Sequence, residues 1–308
     1  MKLLSLVLTV AAWFVPAWSQ TAKNPFLGRW DLTVTSARST ANQWMEVVER
    51  DGKPDGRIQL GGGAVRPIVA ARMDGSHLIV TVSAAGRGPE TTWDLTVEGD
   101  KITGVQKRGD AASDTQVAGV RAPDLKRPMP KAWTTPEPLF NGKDLAGWEP
   151  VNNPDRSKWV VEDGALFNQD RGSNIRTTRK FDDFKLHIEV NCPEKCNSGI
   201  YLRGRYEIQV GSEGGTNPSH EMGAVYGYYA PAVAMPLGSG EWQTFDITLV
   251  GRYVTVVRNG VKIHDNQEMP GITGGALDSR EGEPGPILLQ GDHDGGMKYR
   301  NITIAVPK

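Results

Sequence analysis

Short runs in which apolar and polar residues alternate, each cut off by glycine, proline or asparagine, recur through the sequence and restrict it to β-structure. One such run is Trp30-Asp31-Leu32-Thr33-Val34, and the same pentapeptide returns at Trp93-Asp94-Leu95-Thr96-Val97. A half-buried strand needs this pattern, because successive side chains point to opposite faces of a sheet. In the longer C-terminal part the turns are Asn141-Gly142, Asp163-Gly164, Asn259-Gly260 and a Gly/Pro-rich stretch over 270–286. The pair 253–258 and 261–264, joined by Asn259-Gly260, reads as a tight β-hairpin. No long amphipathic helix pattern appears there. With 36 glycines and 20 prolines in 308 residues, the fold class is all-β. The expected architecture is a small N-terminal antiparallel meander or barrel followed by a two-sheet β-sandwich.

Five prolines (Pro123, Pro128, Pro130, Pro136 and Pro138) fall among charged residues in 121–138, without apolar periodicity. This stretch reads as a semi-rigid linker between a domain at 20–120 and a second at 139–308. Residues 1–19 read as a signal peptide: Lys2 precedes a short apolar core, and Ala17-Trp18-Ser19 supplies the small residues for cleavage near Ser19-Gln20. The apolar run is shorter than the roughly 20 residues of a membrane span, so the expected location is secreted or periplasmic. In that compartment Cys192 and Cys196 are expected to pair as a disulfide. The alternative, half of a metal site, lacks a second Cys or a nearby His pair. A net charge of -1 with acids and bases interspersed argues against nucleic acid or an anionic membrane as partner and suits a neutral polar ligand.

Chemistry-bearing residues concentrate in the C-terminal half. Read as one strand, residues 200–210 place Leu202, Tyr206, Ile208 and Val210 on one face and Arg203, Arg205, Glu207 and Gln209 on the other. Residues 242–250 place Phe245, Ile247 and Leu249 inward and Trp242, Thr244, Asp246 and Thr248 opposite. Residues 287–290 end in Gln290, beside Asp292-His293-Asp294, and Tyr226, Tyr228 and Tyr229 share one loop. Arg, Glu, Asp and Gln suit sugar hydroxyls, and Trp or Tyr suits the apolar face of a pyranose ring. Asp292-His293-Asp294 as a metal site is less favoured than a solvated turn, since three adjacent residues rarely converge on one ion. No Gly-x-Ser-x-Gly elbow, Walker loop, dinucleotide fingerprint or His-Glu-x-x-His pattern occurs.

A run of landmarks extends the reading: Leu139-Phe140-Asn141-Gly142-Lys143-Asp144-Leu145-x-Gly147-Trp148, Trp159-x-Val161-Glu162-Asp163-Gly164, and Asn197-Ser198-Gly199-Ile200-Tyr201-Leu202-Arg203-Gly204-x-Tyr206-Glu207-Ile208-Gln209-Val210. Gly223-Ala224-Val225-Tyr226-Gly227, Gly240-Glu241-Trp242-Gln243, Leu288-Leu289-Gln290 and Tyr299-Arg300-Asn301-Ile302 follow in order. From about Pro138 to Val306 the chain thereby resembles the 3-keto-disaccharide hydrolase family. The resemblance covers the C-terminal domain only, and it implies a concanavalin A-like sandwich (jelly roll) that cleaves glycosides oxidised to a ketone at C3. It implies Glu207 or His293 as the base that takes the C2 proton, with Asp246 assisting. Arg203, Gln209 and Gln290 would hold the ketone and ring hydroxyls, and Tyr226 and Trp242 would form ring platforms. No cofactor is firmly implied, although a divalent cation or Arg203 could stabilise the enolate. The expected partner is an oligosaccharide or other glycoside. A non-catalytic carbohydrate-binding module is the alternative, because fold does not dictate function. A protein-recognition domain with the barrel as spacer is a third. The N-terminal domain could shape one wall of the pocket, bind glycan itself or do neither.

Overall fold

The computed structural model describes residues 24–83, 89–109, 115–211, 214 and 216–308; the expected leader at 1–19 and its expected cleavage point lie outside them. Its first nine strands form one antiparallel sheet in the order Arg66–Pro67, Lys53–Gln59, Thr40–Arg50, Gly28–Thr35, Thr115–Arg121, Lys101–Arg108, Thr91–Glu98, His77–Val82, Ala70–Asp74. The sheet curls on itself: Ile68 N donates to Gly56 O at one edge and Val69 N to Thr81 O at the other. Inward positions carry the core, with Trp30, Leu32, Met45, Val47, Ile58, Trp93, Leu95 and Ile102 buried together. Both tryptophans of the repeated pentapeptide are therefore core residues.

Beyond it stand two antiparallel sheets face to face. The larger has eight strands, with Phe184–Asn191 between Lys298–Ala305 and Trp242–Val250. The smaller has five, in the order Trp148–Pro150, Ile175–Thr177, Leu288–Leu289, Asn197–Leu202, Tyr206–Gly211. Phe184, Leu186, Ile188, Phe245, Ile247 and Leu249 of the first pack against Ile200, Leu202, Tyr206, Ile208 and Val210 of the second. Asn259 and Gly260 both take positive φ (48° and 79°) and close the hairpin Tyr253–Arg258/Val261–Glu268, as a primed two-residue turn requires.

One element departs from the sequence reading. Residues 200–210 are not one strand but a hairpin, Asn197–Leu202 paired with Tyr206–Gly211. Arg203 and Gly204 (φ 53° and 69°) reverse the chain; a glycine after a side chain that tolerates the left-handed region is enough for the turn. Arg203 and Arg205 therefore lie in the turn, and Glu207 and Gln209 share a strand face with neither.

Residues 122–136 carry no strand and run along the sandwich, with Arg127 Nη1 donating to Asp182 Oδ2 at 2.6 Å. Cys192 and Cys196 are bonded to each other. No helix among the described residues is long and apolar enough to cross a membrane.

The curled sheet packs on the loop over 274–279 and on Tyr228, beside the five-stranded sheet. Thr33 Oγ1 lies 2.9 Å from Ser279 Oγ, Asn42 Nδ2 donates to Ala276 O at 2.8 Å, and Gly275 N donates to Gly61 O at 3.0 Å. Trp44 meets Tyr228 edge-on at 6.0 Å between ring centroids.

Candidate active site

Pairing in the 197–211 hairpin sets Tyr201 directly opposite Glu207. Both point away from the sandwich core, toward the N-terminal domain, into a cavity of about 200 Å3. Its walls are Tyr201, Glu207, Tyr226, Gln290, Asn174, Asn197, Asp292 and His293 from the sandwich, Gly274 and Gly275 from the following loop, and Gly61, Gly62 and Gly63 from the N-terminal domain. The N-terminal domain thus forms one wall.

Glu207 is only 2 % exposed. Tyr201 Oη lies 2.8 Å from Glu207 Oε2 and 3.0 Å from Gly274 O, and Gln290 Nε2 approaches it at 3.4 Å. Burial first, then the charge of Glu207 and the hydrogen bond to it, push the Tyr201 phenol well above its ordinary pKa. Tyr201 is therefore a neutral donor beside the carboxylate throughout the physiological range. Gln290, a lining residue, is buried and its Oε1 has no hydrogen-bond partner, so its acceptor capacity is unspent. At the rim His293 Nδ1 lies 2.8 Å from Asp292 Oδ1. Burial acts to raise the Asp292 pKa, but the hydrogen bond and charge of His293 outweigh it, and the carboxyl sits below the usual range. Tyr226 stacks on His220 at 4.7 Å, and its backbone N donates to Glu207 O at 3.1 Å.

Gly199 makes room for the carboxylate. A Cβ there would overlap Glu207 Oε1 and reach 2.8 Å from its Cγ and Cδ. Gly199→Ala is expected to leave the strand intact and swing Glu207 out of position. Misplacement of this size costs roughly tenfold to a hundredfold in rate, so turnover should fall by that factor while the thermal midpoint stays within a few degrees. Unchanged turnover would show that the position of Glu207 does not matter.

Of the residues singled out from sequence, Glu207, His293, Gln290 and Tyr226 meet at this cavity. Gln209 stands one step behind it and donates through Nε2 to the lining residue Asn197 at 3.0 Å. Arg203 is fully buried away from it: Nη1 donates to Asp182 at 3.0 Å, and Nη2 to Gly251 O at 2.7 Å and to Tyr206 Oη at 3.2 Å. Asp246 and Trp242 stand on the outward face of the eight-stranded sheet, across the core from Glu207. There Asp246 Oδ1 lies 2.7 Å from His187 Nδ1, and the Arg300 guanidinium covers the Trp242 ring at 3.8 Å. Tyr201, Asn174, Asn197 and the glycines of 61–63 escape sequence reasoning. A turn assigned at Arg203-Gly204 would have set Tyr201 opposite Glu207; nothing local marks the glycines. Among the described residues no three His, Cys, Asp or Glu side chains group to hold a metal ion.

No curated protein matches the chain. Two solved structures from Parabacteroides distasonis, each named as a candidate glycosyl hydrolase, resemble it. One is 27% identical over 60% of this chain and 94% of its own, with a TM-score of 0.47. The other is 26% identical over 56% and 98%, with a TM-score of 0.41. Residues 135–305 match the family described as the 3-keto-alpha-glucoside-1,2-lyase-like domain. That span contains every sandwich residue of the cavity and more than half of the sequence, and the chain is a carbohydrate-active member of the 3-keto-alpha-glucoside-1,2-lyase-like family.

Proposed function

We propose that the protein cleaves glycosides bearing a ketone at C3, by elimination across C1 and C2 followed by addition of water. The observation that carries this reading is a buried carboxylate, Glu207, beside a neutral phenol and an unspent amide acceptor in a sugar-sized cavity. A C3 ketone acidifies the C2 proton. Glu207 takes that proton, and the C–H electron pair moves into an enolate on the C3 oxygen. As the enolate collapses, a C1–C2 double bond forms and the C1–O bond breaks. The leaving oxygen receives a proton from His293, whose ring is oriented by Asp292. Water then adds at C1 and C2 regains a proton. Once Glu207 is protonated it is a poorer acceptor, and the Tyr201 hydroxyl turns to the developing oxyanion. Gln290 Oε1 accepts from a ring hydroxyl.

The leaving group has a place to go. Asn174, Gly275 and Asp292 also border a cleft of about 540 Å3 between the two domains, lined by Thr33, Thr40 and Asn42 on the N-terminal side. Its polar walls fit a hydrophilic leaving group.

Incubating the purified protein with a 3-keto-glucoside and with its unoxidised parent tests the reaction. Release is expected from the keto compound alone, at least a thousandfold faster than from the parent, because only the ketone acidifies C2. Equal release from both would sink the elimination chemistry. Release from neither, with glycan affinity retained, would make the domain a binding module.

A further inference from the structure

Inward positions of the curled N-terminal sheet change character along its axis. On one strand Met45 and Val47 are core, but Gln43, in the same phase, borders a cavity of about 480 Å3. Trp93 and Leu95 give way to Thr91 in the same manner, and Ile102 to Gln106 and Arg108. Small barrels either fill their interior with side chains or leave room for one small ligand, and a concave pocket with a few placed polar groups suits the second. Two observations give the ligand its chemistry. Arg66 and Arg108 both line the cup, and among the described residues no Asp or Glu does. Gln43 is 3% exposed, and its Oε1 has no hydrogen-bond partner, so a buried acceptor awaits a donor.

We propose that this cup is a second ligand site, distinct from the Glu207 cavity, that takes a carboxylate-bearing sugar: the carboxylate pairs with Arg66 and Arg108 and a ring hydroxyl donates to Gln43 Oε1. Guanidinium groups match carboxylates in geometry as well as charge. Gly62 borders both cavities, so a sugar in the cup lies beside the site proposed for catalysis. The inference stands on the N-terminal domain alone and does not depend on the reaction proposed above.

Calorimetric titration of the full protein with D-glucuronate, with D-glucose as the neutral control, tests it. Glucuronate is expected to bind saturably and at least tenfold more tightly than glucose. In the Arg66→Ala/Arg108→Ala double variant, whose arginines are not in the core, the affinity should fall at least tenfold at an unchanged melting temperature. Gln43→Met keeps the volume, removes the acceptor and should weaken binding without restoring glucose to parity. The proposal is overturned by an absence of saturable glucuronate binding, or by an affinity that the arginine variants leave unchanged. It is equally overturned if Glu207→Gln, and not the arginine pair, abolishes binding, since the ligand would then occupy the other cavity.

Discussion

Glu207→Gln is expected to lower turnover of a 3-keto-glucoside by at least a hundredfold, within the roughly 10^2 to 10^4 range that a positioned general base contributes. The amide keeps the shape of the carboxylate and can still meet Tyr201 Oη, which lies 2.8 Å from Oε2 in the native protein. Packing on Gly199 is likewise retained, so the folded state should survive the change. What is lost is the capacity to accept a proton from C2. KM should change far less than kcat, because the ring hydroxyls still meet Gln290. Solvent deuterium exchange at C2 of the keto substrate separates this role from a merely electrostatic one: the wild type should exchange or eliminate, and the variant should do neither. Turnover within tenfold of wild type would assign the base to another group, with His293 the first to examine through His293→Ala.

Much of the fold is legible because its determinants are local. The alternation in Phe184–Asn191 and Trp242–Val250 matches their burial, and Asn259-Gly260 specifies its own turn. The site is less legible because two polar strand faces that look alike meet different fates. Asp246 faces solvent, while Glu207 is enclosed by Tyr201, by Thr273 and, across the cavity, by Gly61, Gly62 and Gly63 of the curled sheet's domain, a long-range contact. No window of sequence contains that contact. The repeated pentapeptide makes the same point inside one domain. Asp94 is half-exposed and lies 2.6 Å from His77, but Asp31, in the identical local sequence, is 2 % exposed at the domain boundary. Periodicity locates both on the outward face of the curled sheet; only the docking of the sandwich decides which of them is buried.

That burial yields the second large effect. Asp31 is reached by no N–H or O–H donor, since neither oxygen has a hydrogen-bond partner of that kind; the polar group facing it is another carboxylate, Glu281. Glu281 is already committed, accepting from Tyr206 Oη at 2.6 Å and from Arg252 Nη2 at 3.4 Å. Burial first, then the charge and hydrogen bond of Glu281, push the Asp31 carboxyl up to about 10, with Arg252 and Arg205 pulling the other way. The folded protein therefore keeps on Asp31 a proton that the unfolded chain releases above the ordinary carboxylate range. A raised native pKa stabilises fully below the unfolded value and is lost as pH climbs toward the folded one. Stability should therefore fall as pH rises above the ordinary carboxylate range. Asp31→Asn removes the proton requirement while keeping the side chain's shape, and its amide N–H donates to Glu281 in place of the carboxyl proton. The variant is expected to match the wild type near pH 4 and to exceed it by on the order of a few kcal/mol at pH 7, with the gap widening to pH 9. Chemical denaturation at pH 5, 7 and 9 reads this directly. Parallel pH profiles for the two proteins would mean that Asp31 is ionised in the folded state, with Arg252 and Arg205 compensating its charge.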